Sequence, residues 1–151
     1  MKKIQTLCMI YNQREILLGM KLRDFGKGRW NGFGGKVKQG ETPEAAAIRE
    51  VKEEIGVEVE GLKFRGMLNF SFIKTGVKIE CHLYSAERFL GVPMETDEMR
   101  PRWFDLGKIP YDKMWPDDIY WLPEILAGKN LNCEFNFTDG DKLVDHKIKE
   151  I

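Results

Sequence analysis

Six glycines crowd into fifteen residues, at positions 26, 28, 32, 34, 35 and 40, and a helix signal follows them without a break. Glycine is a poor helix or strand former because it loses more backbone entropy on folding than any other residue. The segment is therefore predicted to be mostly loop, with backbone free to take positive φ or to pass close to a ligand. Thr42 then stands where an N-cap belongs, Pro43 suits the first helical position, Glu44 favours the positive end of the helix dipole, and Gly56 is a natural stop. These signals fix a helix over about 43–55.

Strand patterns surround this loop and helix. Residues 4–11 and 15–22 are apolar-rich runs parted by Asn12-Gln13-Arg14, which predicts a hairpin. Residues 62–73 and 77–88 alternate around Lys74-Thr75-Gly76 and predict a longer one. The segment 98–118, with its prolines and aromatics, reads as irregular but apolar. A second helix is expected from about Asp118 to Ala127, stopped by Gly128, with Pro123 restricting how it can start. Cys133, Phe135 and Phe137 alternate, Asp139-Gly140 can turn, and Leu143 to Ile148 returns as a closing hairpin. No repeat or linker divides residues 1–151, so one α+β domain is expected, a mixed sheet with two main helices.

Composition narrows the function classes. Of 151 residues 42% are hydrophobic, enough for a substantial core. The 24 basic and 24 acidic residues cancel, so no overall positive field exists to hold a nucleic-acid polymer. Cys8, Cys81 and Cys133 are odd in number and far apart, which fits neither a disulfide framework nor a CxxC site, and they read as reduced core thiols. After Met1-Lys2-Lys3 the apolar stretch runs only from Leu7 to Tyr11, too short for a signal sequence. Nothing approaches the ~20 apolar residues of a membrane span. The cytoplasm is the expected location.

The first helix carries Arg49-Glu50-Val51-Lys52-Glu53-Glu54-Ile55. At ~100° per residue, Glu50, Glu53 and Glu54 share an arc of about 100° beside an apolar stripe of Ile48, Val51 and Ile55. Like charges three and four residues apart destabilise a free helix, so their company asks for a cation. Carboxylate oxygens suit Mg²⁺, which keeps several waters and is usually completed by substrate phosphates. A solvated helix face with Arg49 and Glu53 paired at i,i+4 accounts for the same residues.

The flanking spacing is more specific. Gly35, five residues, Glu41, seven residues, Arg49-Glu50-Val51, one residue, Glu53-Glu54, one residue and Gly56-Val57 resembles the Nudix box at every specified position. Chance would produce such a match at only about 10⁻⁸ to 10⁻⁹ per starting point. The Walker pattern fails at Trp30 and Val37, and no GxGxxG fits the glycine loop. The Nudix resemblance implies an α/β/α sandwich with a mixed sheet, the box forming loop–helix–loop, and hydrolysis of a nucleoside diphosphate linked to another group. It further implies that Glu50, Glu53 and Glu54 ligate Mg²⁺, with Mn²⁺ as an alternative ion, or activate water, and that the Gly34 carbonyl is another ligand. Lys36 reads either as a point charge holding a phosphate or as a surface lysine. Glu41 and Arg49 would organise the loop and orient the glutamates.

Outside the box, Phe25, Trp30, Phe70, Phe72 and Trp115 stand where aromatic planes could hold a nucleobase. The two-residue spacing of Phe70 and Phe72 favours packing against a sheet, although Phe70 remains a pocket candidate. Asp117-Asp118 reads either as a cap for the second helix or as a crowded pair. In such a pair one carboxyl can stay protonated and donate while the other accepts, an arrangement able to read a purine edge. Asn31 adds an amide with both a donor and an acceptor. Arg29 to Lys36, Asp97 to Pro101, and Met114 to Asp118 with Tyr120-Trp121 are similar to the MutT-homologue branch of Nudix enzymes, and the likeness runs from Leu17–Lys21 to the terminal hairpin. That resemblance implies cleavage of 8-oxo-dGTP and 2-hydroxy-dATP to monophosphate and pyrophosphate, sanitising the nucleotide pool. It also implies that Asn31, Asp117 and Asp118 bond the base, that Trp115 and Phe25 flank it, and that Lys21 and Phe70 join the pocket. Glu98 would add to the metal site. Ile79 stands where that branch places a methionine against the base. The expected partner is a small nucleotide, with no nucleic-acid polymer, membrane or obligatory protein partner. Hydrolysis of another nucleoside diphosphate derivative such as ADP-ribose, or a module that only senses a nucleotide, stays open.

Overall fold

Strand β1 (Lys2–Tyr11) is central to the computed structural model, which describes residues 2–139 and 141–151. It pairs in parallel with β6 (Val77–Ala86) from Lys2↔Lys78 to Ile10↔Ala86. The predicted hairpin partner, β2 (Glu15–Lys21), meets it only at Ile10↔Leu17 and Tyr11↔Ile16. The first hairpin is thus confined to its turn. Beyond it β2 pairs with β3 (Trp30–Asn31), and along its whole length with β8 (Met99–Asp105). β8 corrects the expectation of irregular chain over 98–118. Pro101 is tolerated within it because the strand lies at an edge of the sheet.

The long hairpin forms as predicted, from β5 (Lys63–Phe72) and β6. The other edge of β5 takes β9 (Leu131–Thr138) in parallel, with Phe70↔Phe135 and Phe72↔Phe137, and β9 pairs with β10 (Lys142–Glu150). The turn predicted at Asp139-Gly140 includes residue 140, which lies outside the described residues. Sheet order is β10-β9-β5-β6-β1-β2-β3, with β8 on β2. A separate ladder of β4 (Glu58–Glu60) and β7 (Arg88–Leu90) had no clear signal in the sequence.

Alternation along the strands gives the sheet two apolar faces, and a helix covers each. Helix α1 (Pro43–Ile55) has the predicted bounds: the Thr42 hydroxyl accepts the Ala45 N–H at 3.1 Å, and Gly56 ends the helix at φ 77°. Its Val51 and Ile55 pack with Cys8, Ile10, Leu17 and Phe33. On the other face α2 (Asp118–Leu126) buries Trp121, Leu122 and Ile125 against Met9, Leu18, Leu68 and Phe135. Pro123 lies inside α2, not at its start. The three cysteines are free and buried, and burial pushes the Cys8 and Cys133 thiols up to about 12. No helix of the described residues is long and apolar enough to cross a membrane.

A buried cation fastens the end of α2. Arg65, 4% exposed, donates through Nε to Asn130 Oδ1 at 2.9 Å and through Nη1 to Tyr11 Oη at 2.5 Å and Ser85 Oγ at 3.2 Å. Its Nη2 donates to the carbonyls of Ile125 and Lys129, both at 2.9 Å, where the negative end of the helix dipole favours positive charge. All these acceptors are neutral, so the pull on α2 comes from hydrogen bonds and not from an ion pair. Arg65→Met should cost about 3 kcal/mol by leaving buried acceptors unpaired, lowering the melting temperature by about 6–12 °C for a chain of this length. An unchanged melting temperature would show that α2 does not depend on this fastening.

Candidate active site

Gly34 ties the glycine loop to both β1 and helix α1. Phe33 exchanges hydrogen bonds with Cys8 of β1, at 2.6 and 3.0 Å, and the Gly35 carbonyl accepts the Thr6 N–H at 2.8 Å. In extended chain, the N–H and carbonyl of the residue between them face away from β1. The Gly34 N–H accordingly donates to Glu54 Oε1 at 2.9 Å. A Cβ on Gly34 would run into the Thr6 carbonyl, and one on Gly35 would stand 2.6 Å from the Glu50 carboxyl carbon. Both positions demand glycine because backbone and carboxylate already occupy the space.

The three box glutamates, predicted to share one arc, have three different surroundings. Glu54 is 1% exposed. Burial pushes its pKa up to about 8; the charges of Glu50 and Glu98 add to the rise, while the Gly34 N–H and the Lys21 ammonium oppose it. Glu50 is largely covered and Glu53 is half exposed. Arg49 Nη1 holds both, at 2.9 Å from Glu50 and 3.3 Å from Glu53. The i,i+4 pair of a solvated helix is therefore present, but it is one strand of a larger fork. Arg49 also donates through Nε and Nη2 to Glu41, at 2.7 and 2.9 Å, and through Nη2 to the Lys36 carbonyl at 3.0 Å. Glu41 in turn accepts the Lys38 N–H, and the Arg49 bond leads in holding its pKa down to about 2. Arg49 and Glu41 thus organise the loop, as expected.

Glu98 joins through Thr96, whose hydroxyl donates to the Glu54 carbonyl at 2.7 Å and accepts the Glu98 N–H at 3.2 Å. The Glu98 side chain is held by Arg23 at 3.2 Å. Among the described residues no three His, Cys, Asp or Glu side chains stand grouped as a metal ion requires. Arg49 and Arg23 hold the carboxylates that would have to converge. The donors themselves suit a hard divalent cation: carboxylate oxygens, a glycine carbonyl facing the same side as Glu54, and mutual repulsion that raises the proton affinity of Glu54.

Glu54 also lines a cavity of about 200 Å³ on which most of the substrate-binding candidates converge: Lys21, Phe25, Asn31, Phe70, Trp115, Asp117 and Asp118. Lys36 does not; its side chain is exposed. Phe25 and Trp115 stack on each other, ring centroids 5.0 Å apart and planes 20° apart. They form one wall of the cavity and not the two flanking plates that the resemblance implies. Phe70 both packs and lines, stacked on Phe135 at 5.7 Å.

The cap reading of the aspartates fails. Asp117 occupies the N-cap position of α2 but makes no capping bond with its side chain. Its Oδ2 instead accepts the Trp121 indole N–H at 2.8 Å, one helical turn on. Asp117 is 3% and Asp118 7% exposed. Burial raises both pKa values, and that of Asp118 goes well above the ordinary carboxylate range because the Asp117 charge and hydrogen bond add to it. The pair is built to keep a proton, with Asp118 the better placed to carry it. Phe72, named with Phe70 as a base-stacking aromatic though better suited to sheet packing, also lines the cavity, and Thr6, Met99, Phe137 and Trp121, which the sequence did not assign to it, help build the site. Of those four only Trp121 had a local signal, its four-residue spacing from Asp117.

Residues 1–125 match the family model of the NUDIX domain. The chain belongs to the NUDIX family. The oxidized purine nucleoside triphosphate hydrolase of Danio rerio is 46% identical to this NUDIX protein over 149 residues, covering 99% of this chain and 96% of that one. Its namesake from Mus musculus is 43% identical with the same coverage. Among solved structures, the MutT protein of Bacillus halodurans superposes with a TM-score of 0.87 over 97% of each chain at 21% identity, a likeness of NUDIX fold.

Glu54 has a cost in stability that can be measured. Its raised pKa means that its favourable contribution is fully present below the unfolded value of 4.5 and is lost as pH rises through about 8. In chelator, Glu54→Gln should therefore be more stable than the parent by on the order of 3 kcal/mol near pH 7, and no more stable near pH 4. Denaturant titration at the two pH values checks this. Equal stabilities near neutrality would mean that Glu54 is not held in a desolvated site.

Proposed function

We propose that the whole chain, residues 1–151, is one Nudix hydrolase domain that cleaves oxidised purine nucleoside triphosphates, 8-oxo-dGTP and 2-hydroxy-dATP, to monophosphate and pyrophosphate. The observation that carries this reading is that Glu54 of the box and the Asp117–Asp118 pair line the same cavity. One end offers acids for phosphate chemistry, and the other a donor and an acceptor for a base. The names of the Danio rerio and Mus musculus relatives agree with it.

The base sits among apolar walls from Phe70, Phe72, Ile79 and Trp115, and its polar edge meets Asn31, Asp117 and Asp118. A protonated Asp118 donates, Asp117 accepts while Trp121 fixes its orientation, and moving the shared proton lets the pair meet more than one pattern of purine edge. Lys21, close enough to act on Glu54, brings positive charge to the phosphate end, and Lys36 offers another at the exposed loop. Glu50, Glu53, Glu54, Glu98 and the Gly34 carbonyl are the residues that would hold the divalent ion, Mg²⁺ with Mn²⁺ as the alternative. When bound, that ion neutralises phosphate oxygens and lowers the pKa of water. Glu54, its pKa raised to about 8, would be suited to take a proton from a water molecule at its end of the cavity. The substrate is a small cytoplasmic nucleotide, and no step calls for a nucleic-acid polymer, a membrane or a protein partner.

A panel of nucleotides incubated with Mg²⁺, scored for monophosphate and pyrophosphate, tests the reading. Oxidised purine triphosphates should be preferred, chelation should stop turnover and added Mg²⁺ restore it, and Glu54→Gln should lower kcat about 10²-fold or more. Preference for ADP-ribose would replace the substrate. Tight binding without hydrolysis across the panel would make the protein a nucleotide sensor.

A further inference from the structure

Arg29 does not line the cavity, yet four observations place it behind the cavity's aromatic wall. Its Cζ lies 4.2 Å from the centroid of the Trp115 ring. Its Nη2 forms an ion pair with Asp141, just before β10. Its Nη1 is buried and has no hydrogen-bond partner among the described residues. Its backbone is fixed, the carbonyl accepting the Lys21 N–H at 3.0 Å and the N–H donating to the Gly26 carbonyl at 3.2 Å.

Trp115 is half-buried where it packs against the core, and its carbonyl accepts the Asp118 N–H at 3.1 Å. It lies in the irregular segment before α2, and its stacking partner Phe25 is 70% exposed. Phe137 meets it only edge-on, at 6.2 Å. A guanidinium attracts the face of an indole, and an anion beyond it keeps the long side chain from other rotamers. We propose that the Arg29–Asp141 pair is a latch that positions Trp115 by tying the β2–β3 loop to the C-terminal hairpin, which makes Arg29 and Asp141 positioning residues for nucleotide binding. Its geometry stands on the contacts above, and its consequence for catalysis rests on the proposed function. Lysine keeps the charge for Asp141 but not the planar face over the indole, so Arg29→Lys should recover only part of the effect.

The test reads Trp115 directly, through its indole N–H resonance in nucleotide-free protein, assigned with Trp115→Phe. Arg29→Gln and Asp141→Asn should displace that resonance in the same sense, the double variant should go no further than Arg29→Gln alone, and the other indoles and the melting temperature should change little. Kinetically, KM for the preferred nucleotide should rise about three- to tenfold in each single variant with kcat within about twofold. An unmoved Trp115 resonance in either single variant, additive effects in the double variant, or a fall in kcat at constant KM would overturn the latch. An inactive parent contradicts the hydrolase reading instead, and the resonance still decides the latch.

Discussion

The passage of Gly34 beside Thr6 is the constraint on which the site depends. The contact leaves no room for a Cβ, it ties the glycine loop to the central strand, and it turns the Gly34 N–H toward Glu54. Through that one bond a carboxylate of α1 reaches a cavity that the start of α2 also lines. Arg49 completes the arrangement, since its fork joins Glu41 of the loop to Glu50 and Glu53 of the helix. The loop and the acidic face are thus one unit held by a glycine backbone and a guanidinium.

Three acids, Glu54, Asp117 and Asp118, are buried around one small cavity, and each is pushed toward its protonated form. Removing a carboxylate from water opposes folding unless it is neutralised or paired. The fold tolerates this through a sheet packed on both faces and a helix fastened by Arg65. What the cavity gains is carboxyl groups whose proton affinities are raised above the ordinary carboxylate range, Glu54 to about 8.

Local information carried most of what was legible in the sequence. Thr42, Pro43 and Gly56 act on their own turn of chain, and α1 has the bounds they predict; the box spacing led to the family for the same reason. Pairings distant in sequence were not legible. The parallel registers of β1 with β6 and β5 with β9 depend on contacts more than sixty residues apart, and they set Phe137 beside Phe72 in the cavity wall. β8 was hidden by Pro101, which an edge strand accepts. Asp117-Asp118 fitted a cap as well as a pair, and only the direction of the Asp117 side chain, toward Trp121, separates the two.

The proposed function needs the two aspartates to share one proton above the ordinary carboxylate range, the direction in which burial pushes both and the Asp117 charge pushes Asp118 further, and so to offer the base a donor beside an acceptor. Carboxyl ¹³C shifts of aspartate-labelled protein, assigned with Asp117→Asn and Asp118→Asn and followed across pH, measure this directly. One carboxyl of the pair should remain protonated well above the pH at which ordinary aspartates ionise. Two carboxyls that both ionise in the ordinary aspartate range, near 4, would contradict it.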